Sequence, residues 1–421
     1  MEKKKRLKIL IISQYFWPEN FRVNDIVRYF KDSDVEIEVL TGKPNYPVGY
    51  LFKEYKERPN DFLNYHGAKI TRVPIITRKK GRNFDLFINY SFFLLSSIFF
   101  GFFAFRKKKF DYIFTFGTSP LTVAITSLLL AKVCKSKTCL WVLDLWPEII
   151  FELGILKNYN LLQKILSKVI TFIFNKTDII FAQSKSYLEL IKKKIDNKDK
   201  VYYFPSWPEE NVDEEKSNNR LKKEILLNDK YKDKFKIFFT GSVGDAQNFN
   251  KVANIISKTK NLNIVWYIIG GGRNFNELIK LKETRNLHNL ELIDFIEPNK
   301  IKEYQKQADV FFLSLKKGLV LSSTIPGKFS TYLKFQKPIL GLIAGEVKSF
   351  IEKYKIGYAV DPEDSEILLE KIKLMIELKK NSLLNEKFNE FGPLLREFDY
   401  KSNLKNFKDI LEKNLKQIEI N

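Results

Sequence analysis

The chain has 421 residues, 44% of them hydrophobic and 29% charged. That length suits two domains of about 200 residues each, and the apolar share excludes a disordered chain. Seventy-two Lys and Arg against 50 Asp and Glu leave a net charge of +22, which either answers an anionic neighbour or follows from the Lys-, Asn-, Ile- and Phe-rich composition. No basic block interleaved with aromatics appears, so nucleic-acid binding is set aside. Two cysteines (Cys134, Cys139) and two histidines (His66, His288) support neither a disulfide framework nor a zinc site.

In chain order, the basic and then apolar start MEKKKRLKILIIS mimics a signal peptide. Its apolar piece is short, holds Lys8 and lacks a small-residue cleavage site, so Leu7–Ser13 is read as a buried strand. Further apolar runs predict strands at Glu36–Leu40, Ala68–Val73, Tyr112–Phe116, Thr138–Val142, Ile179–Ala182 and Val201–Tyr203. Helical stretches separate most of them, including Pro120–Val133 and one capped by Ser184. Pro205–Lys234 is polar and charged and opens the boundary between domains, 1–205 and 206–398. Strands resume at Lys236–Thr240, Asn263–Ile269, Leu290–Ile293, Val310–Leu313, Pro338–Leu342 and Gly357–Val360. Near-continuous apolar strands alternating with helices predict parallel sheets covered on both faces. A last helix, Asp399–Lys416, carries Leu404, Phe407, Ile410, Leu411 and Leu415 on one face.

Phe84–Phe105 is long and apolar enough to span a bilayer. Basic residues stand on both sides of it (Arg78, Lys79, Lys80, Arg82; Arg106 to Lys109), which suits a helix lying in the membrane interface. Burial against the first sheet and a true span are the alternatives, and a span would interrupt a sheet between two of its strands.

Three loops carry candidate chemistry. The first follows the first strand, Gln14 to Asp25, where a helix N-terminus and Arg22 suit an anion. The second is WVLDLWPE, Trp141 to Glu148, with tryptophans beside acids, which suits a sugar or equally a core-packed Trp pair. The third, Ser322 to Lys328, is expected to open a helix running through Leu333, so that hydroxyls, helix N–H groups and Lys328 meet a diphosphate. Gly270-Gly271-Gly272-Arg273 follows a buried strand, where glycines permit close backbone approach to a ligand.

ISQYFWPENFRVNDI, LTGKPNYPVGYLF, WVLDLWPE, FPSW, TGSVGDAQNF and STIPGKFSTYLKFQKPILG together resemble a bacterial branch of glycosyltransferase family 4. That branch builds O-antigen, capsule and exopolysaccharide and includes N-acetyl-fucosamine transferases. The resemblance runs from about residue 7 to the end. It implies an α/β GT-B fold of two Rossmann-like doubly wound domains facing a central cleft, and a C-terminal helix (399–421) crossing back to the first domain. It implies a retaining, metal-independent glycosyltransferase without cofactor. Such an enzyme takes a nucleotide-sugar, UDP-linked by resemblance, in the C-terminal domain. It passes the sugar to an acceptor on the N-terminal side, and the interfacial helix, holding the protein peripherally on the inner face of the cytoplasmic membrane, makes a polyprenyl-diphosphate-linked saccharide the expected acceptor. In that frame Lys328 stabilises the leaving diphosphate, with Ser323, Thr324 and Pro326 beside it. Gly241, Ser242, Gln247, Gly270, Gly271, Arg273 and Arg22 meet the donor, Asp144 orients the reacting groups, and Glu19, Asn20 and Asn24 line the acceptor side. The chain departs from the broader family in two places. Ser323 and Thr331 stand where many members carry two glutamates, and Ser242 and Gln247 stand roughly where many carry Arg and Lys. A catalytically silent membrane-bound partner of another transferase and a nucleotide-sugar 2-epimerase are the rival readings.

Overall fold

The computed structural model describes residues 6–79, 82–155, 159–208, 229–296 and 298–419. Most of the expected linker, 209–228, lies outside them. The chain divides into two compact units, residues 1–205 with 400–421, and residues 206–399.

Unit 1 runs β1 (Leu7–Ser13), α1 (Arg22–Phe30), β2 (Val35–Gly42), α2 (Lys53–Glu57), β3 (Asn64–Tyr65), β4 (Ala68–Val73), α3 (Asn83–Phe105), β5 (Tyr112–Gly117), α4 (Ala124–Cys134), β6 (Lys137–Val142), α5 (Glu148–Glu152), α6 (Asn160–Lys176), β7 (Ile179–Ala182), α7 (Lys185–Lys192) and β8 (Val201–Tyr203). The sheet order is β3-β4-β2-β1-β5-β6-β7-β8, parallel except for the short β3–β4 pair. All six residues of β5 are buried, as a strand covered by helices on both faces requires. Ser184 caps α7 as expected, its Oγ accepting from Tyr187 N at 2.9 Å. Cys134 and Cys139 are buried free thiols.

Unit 2 runs β9 (Phe235–Thr240), α8 (Phe249–Lys258), β10 (Ile264–Ile269), α9 (Phe275–Thr284), β11 (Leu290–Ile293), α10 (Pro298–Gln305), β12 (Val310–Ser314), α11 (Leu319–Ser323), α12 (Gly327–Leu333), β13 (Ile339–Leu342), α13 (Glu346–Lys353), β14 (Gly357–Val360), α14 (Ser365–Lys380), α15 (Leu384–Lys387) and α16 (Gly392–Glu397). Its all-parallel order β11-β10-β9-β12-β13-β14 is that of a dinucleotide-binding sheet. Side chains alternate between two cores: Ile237 and Phe239 of β9 enter one and Phe238 the other. The loop from Ser322 to Lys328 opens a helix through Leu333 as expected: Pro326, extended at φ −66° and ψ 139°, precedes α12, while Ser323 closes the short α11 before it. Proline cannot donate inside a helix and pushes its predecessor out of helical geometry.

The final helix, α17 (Tyr400–Glu419), belongs to unit 1. Phe407 packs against the rings of Phe114, Phe181 and Phe204. Tyr112 Oη donates to Leu411 O at 2.9 Å and Tyr400 Oη to Asp25 O at 2.8 Å. The apolar helix α3 lies along the sheet and is not fully buried, which overturns the buried alternative. Asn89, Phe93, Ser97, Gly101 and Phe105 turn inward, while Phe84, Phe87, Leu95, Phe99 and Phe103 face outward.

Candidate functional site

In an open parallel sheet, ligands gather outside the carboxyl ends of the strands where the strand order reverses. In unit 2 that point lies between β9 and β12, and in unit 1 between β1 and β5.

The β9 turn of unit 2 brings Gly241, Ser242 and Lys328 together. Gly241 adopts φ +114°, and a Cβ there would sit 2.7 Å from Lys328 Cε, so glycine makes room for the lysine stem. Lys328 Nζ donates to Ser242 O at 3.1 Å and lies 3.9 Å from the centre of the Phe239 ring. No carboxylate among the described residues pairs with it, and burial lowers its pKa from 10.5 to about 7. A cavity of about 160 Å³ opens beside it, lined among others by Thr240, Lys302, Gln305, Thr331 and Lys334. Beneath, Tyr332 Oη accepts from Thr240 N at 2.8 Å and Gln305 Nε2 donates to Thr240 Oγ1 at 2.9 Å. This buried network fixes the floor of the turn. Sequence reasoning missed it because its members lie 65 and 92 positions apart.

Other expected donor contacts are spent differently. Gln247 Oε1 accepts from Gly244 N at 2.9 Å, closing its own turn. Ser323 and Thr324 donate to Leu319 O and Val320 O, one helical turn back, at 2.7 and 2.8 Å. Thr331 does the same to Gly327 O at 3.0 Å. Arg273 leans on Asp245, at 3.5 Å. The glycine run packs loop on loop. Gly270 is at φ +144°, where a Cβ would overlap the Gly241 carbonyl, and Gly272 at φ +132° is pressed against Val243. Gly271 alone of the three has room, its nearest neighbour being Asp294 Oδ1 at 3.7 Å.

In unit 1 the acceptor-side expectation is corrected for two residues. Glu19 is 2% exposed and accepts from Phe16 N at 3.1 Å and from Asn45 N and Tyr46 N at 2.7 Å each, stitching the β1 loop to the β2 loop. Burial raises its pKa to about 7 against the lowering effect of these donors. Asn24 is likewise internal, accepting from Trp17 N at 3.0 Å and donating to Glu19 O at 2.7 Å. Asn20 is exposed and Arg22 half-buried at the first turn of α1. Trp141 is wholly buried, its Nε1 donating to Phe204 O at 3.0 Å, so it is core and not a sugar platform. Asp144 stands at the end of β6. Burial raises its pKa, although Ser119 Oγ donates to it at 3.0 Å. Tyr90 comes near it and belongs to a cluster of aromatics that the sequence did not single out. Tyr15 stacks on Phe21 at 5.1 Å, Arg78 lies 4.9 Å over the Tyr46 ring and 3.4 Å from Tyr15 Oη, and Tyr90 bonds to Tyr15. An aromatic wall with one carboxylate and one guanidinium suits a sugar with a nearby anion. Among the described residues no three His, Cys, Asp or Glu side chains gather as a metal site.

Residues 221–393 match the family described as glycosyl transferases group 1. The chain is 22% identical over 402 residues to the colanic acid biosynthesis glycosyl transferase candidate WcaI of Escherichia coli, covering 91% of this chain and 96% of that one. It is 24% identical over 281 residues to the glycosyltransferase candidate WbjE of Pseudomonas aeruginosa, covering 66% and 69%. The fold is shared with Anabaena HepE, seen in complex with UDP and glucose. The TM-score is 0.68 at 11% identity, over 97% of this chain and all of that one.

Proposed function

We propose that the chain, which has a GT-B fold and matches glycosyl transferases group 1 over residues 221–393, is a glycosyltransferase that moves a sugar from a UDP-sugar to a lipid-linked saccharide in the assembly of a cell-surface polysaccharide. The observation that carries the donor half is Lys328, an ammonium without a carboxylate partner among the described residues, seated on Gly241 at the switch point of a dinucleotide-type sheet. UDP is nominated by the complex of HepE, and the polysaccharide by the name of WcaI.

As the bond from the sugar to the diphosphate breaks, negative charge grows on the departing oxygen. A preorganised cation in a poorly hydrated turn stabilises that charge without reorganising. Lys328 is placed for this, and Gly271, next in the chain to the Gly270 that packs on Gly241, offers open backbone. On unit 1, Asp144 orients the acceptor hydroxyl within the wall of Tyr15, Tyr46 and Tyr90. Burial raises its pKa, so it accepts a proton more readily than an exposed carboxylate does. Retention of configuration and independence from metal are part of the proposal. The outward phenylalanines of α3 bring unit 1 to the lipid that carries the acceptor.

Melting temperature against UDP, GDP, ADP, dTDP and UDP-sugars tests the reading. A dose-dependent rise selective for UDP is expected. No rise with any nucleotide in folded protein shifts the reading to a silent partner, which the hydroxyls of Ser323 and Thr331, each donating to its own helix backbone at the family's glutamate positions, favour.

A further inference from the structure

We infer that α3, α4 and α6 together form one continuous surface that docks on an anionic lipid bilayer, with α6 a second foot beside α3. The inference rests on the reading above that α3 meets lipid, and extends it to two helices.

These helices are the crossovers β4 to β5, β5 to β6 and β6 to β7, all advancing in the same direction across the sheet. Right-handed crossovers therefore put them side by side on one face, and α4 packs against both α3 and α6. The exposed side of α3 is apolar over its whole length of about 34 Å, from Phe84 (70% exposed) to Phe103 (57%). Leu129 and Val133 continue the exposed apolar surface on α4. On α6 the sequence spacing is decisive. Ile170, Ile173 and Phe174 are buried, and roughly opposite them Leu161 (74%), Ile165 and Phe172 (57%) share one outward face. A depression lined by Leu161, Lys164, Ile165 and Lys168 lies on α6 alone, so it is open surface and not a ligand pocket.

Charge names the occupant. Neither α4 nor α6 contains Asp or Glu, and the single acid of α3, Asp85, is buried and paired with Arg82 at 3.1 Å. The three helices and their ends instead expose Arg106, Lys107, Lys109, Lys132, Lys164, Lys168 and Lys176. A second copy placed face to face would set these cations against one another. An anionic leaflet neutralises them while taking up the phenylalanines and leucines between them.

Sedimentation of the full chain with phosphatidylcholine vesicles, with and without phosphatidylglycerol, is the test. The expected result is strong partition only onto the anionic vesicles, weakened at least tenfold by the triple change Leu161→Gln, Ile165→Gln and Phe172→Gln, and separately by making Phe99, Phe100, Phe102 and Phe103 polar. An unchanged melting temperature and unchanged UDP response certify folding. Should the triple variant not fold, an environment-sensitive dye on Ile165→Cys is expected to shift to the blue on anionic vesicles. If the α3 changes abolish partition and the folded α6 variant partitions like wild type, the inference is overturned while the α3 reading stands. If neither set matters, both fall and the donor-site reading is untouched. A dye that does not shift, or a dimer in solution that the α6 changes dissolve, also overturns it.

Discussion

Exchanging Lys328 for methionine tests the donor site and the electrostatics behind it at once. Methionine keeps an unbranched stem to fill the space beside Gly241 and removes the charge. In the unfolded chain this lysine titrates near 10.5, whereas burial in the folded turn holds it at about 7. Below pH 7 both states carry the proton, and the folded protein bears the full cost of desolvating it. Between pH 7 and 10.5 the unfolded chain binds more protons, so stability rises with pH as that cost is relieved. For a group wholly cut off from water the displacement corresponds to about 5 kcal/mol. The side chain is only half-buried, and solvent screening brings the expected figure to about 1–2 kcal/mol. Lys328→Met is therefore expected to be more stable than wild type by about 1–2 kcal/mol at pH 6 and to lose that advantage towards pH 10, measured by urea denaturation across the range. The same variant loses a charge-assisted contact of about 1.5–3 kcal/mol to the diphosphate, roughly 10- to 100-fold in UDP affinity by calorimetry. Wild-type affinity for UDP falls as pH rises above 7, because the diphosphate must then recruit a proton to Lys328. The variant shows no such contribution. A variant that binds UDP like wild type, or one destabilised at every pH, would refute the reasoning.

Four further outcomes follow from the geometry. Glu19→Ala strands three buried N–H groups and is expected to cost about 3–5 kcal/mol in urea denaturation; a fully stable variant with lost acceptor affinity would return Glu19 to the acceptor site. Because Glu19 is raised from 4.5 to about 7, its contribution to stability falls as pH rises from about 4.5 to 7 and is level above that, a slope that Glu19→Gln removes. Gly270→Ala is expected to abolish folded expression and Gly271→Ala to leave the melting temperature unchanged while weakening UDP binding; equal behaviour of the two would contradict the loop packing. Asp144→Asn, which keeps an acceptor for Ser119, should leave stability and donor affinity intact and lower kcat by about 100-fold. Full turnover would remove Asp144 from the mechanism.

Much of the architecture was legible because it depends on local pattern. Apolar runs marked β1, β4, β7, β8, β11 and β14 at their observed limits, and β7, buried along its whole length, shows the uninterrupted hydrophobic signature of a strand covered on both faces. Ser184 announced α7 through a cap made within three residues. The two-residue β3 carried no such signature, being held only by its antiparallel neighbour.

The candidate site was legible as a set of loops and less so as a set of roles. Position after a strand nominated the loop of Asp144 and the opening of a helix that of Lys328, while Gly241 came with the family resemblance; each doubly wound sheet sends the loops after its strands to its own carboxyl edge. Which polar groups remain for a ligand was a different matter. Glu19 is a loop carboxylate by sequence, and only the arrival of Asn45 and Tyr46 from the next loop turns it inward. Gly270 reads as a ligand-approach glycine until the Gly241 carbonyl occupies the space. By itself the sequence determined the strands, the helices and the strand-end loops, since periodicity and capping act over a few residues. The tertiary structure alone decided which of those loop residues serve the backbone and which face outward, because a buried donor must be satisfied by whatever acceptor the fold brings to it, however distant in the chain.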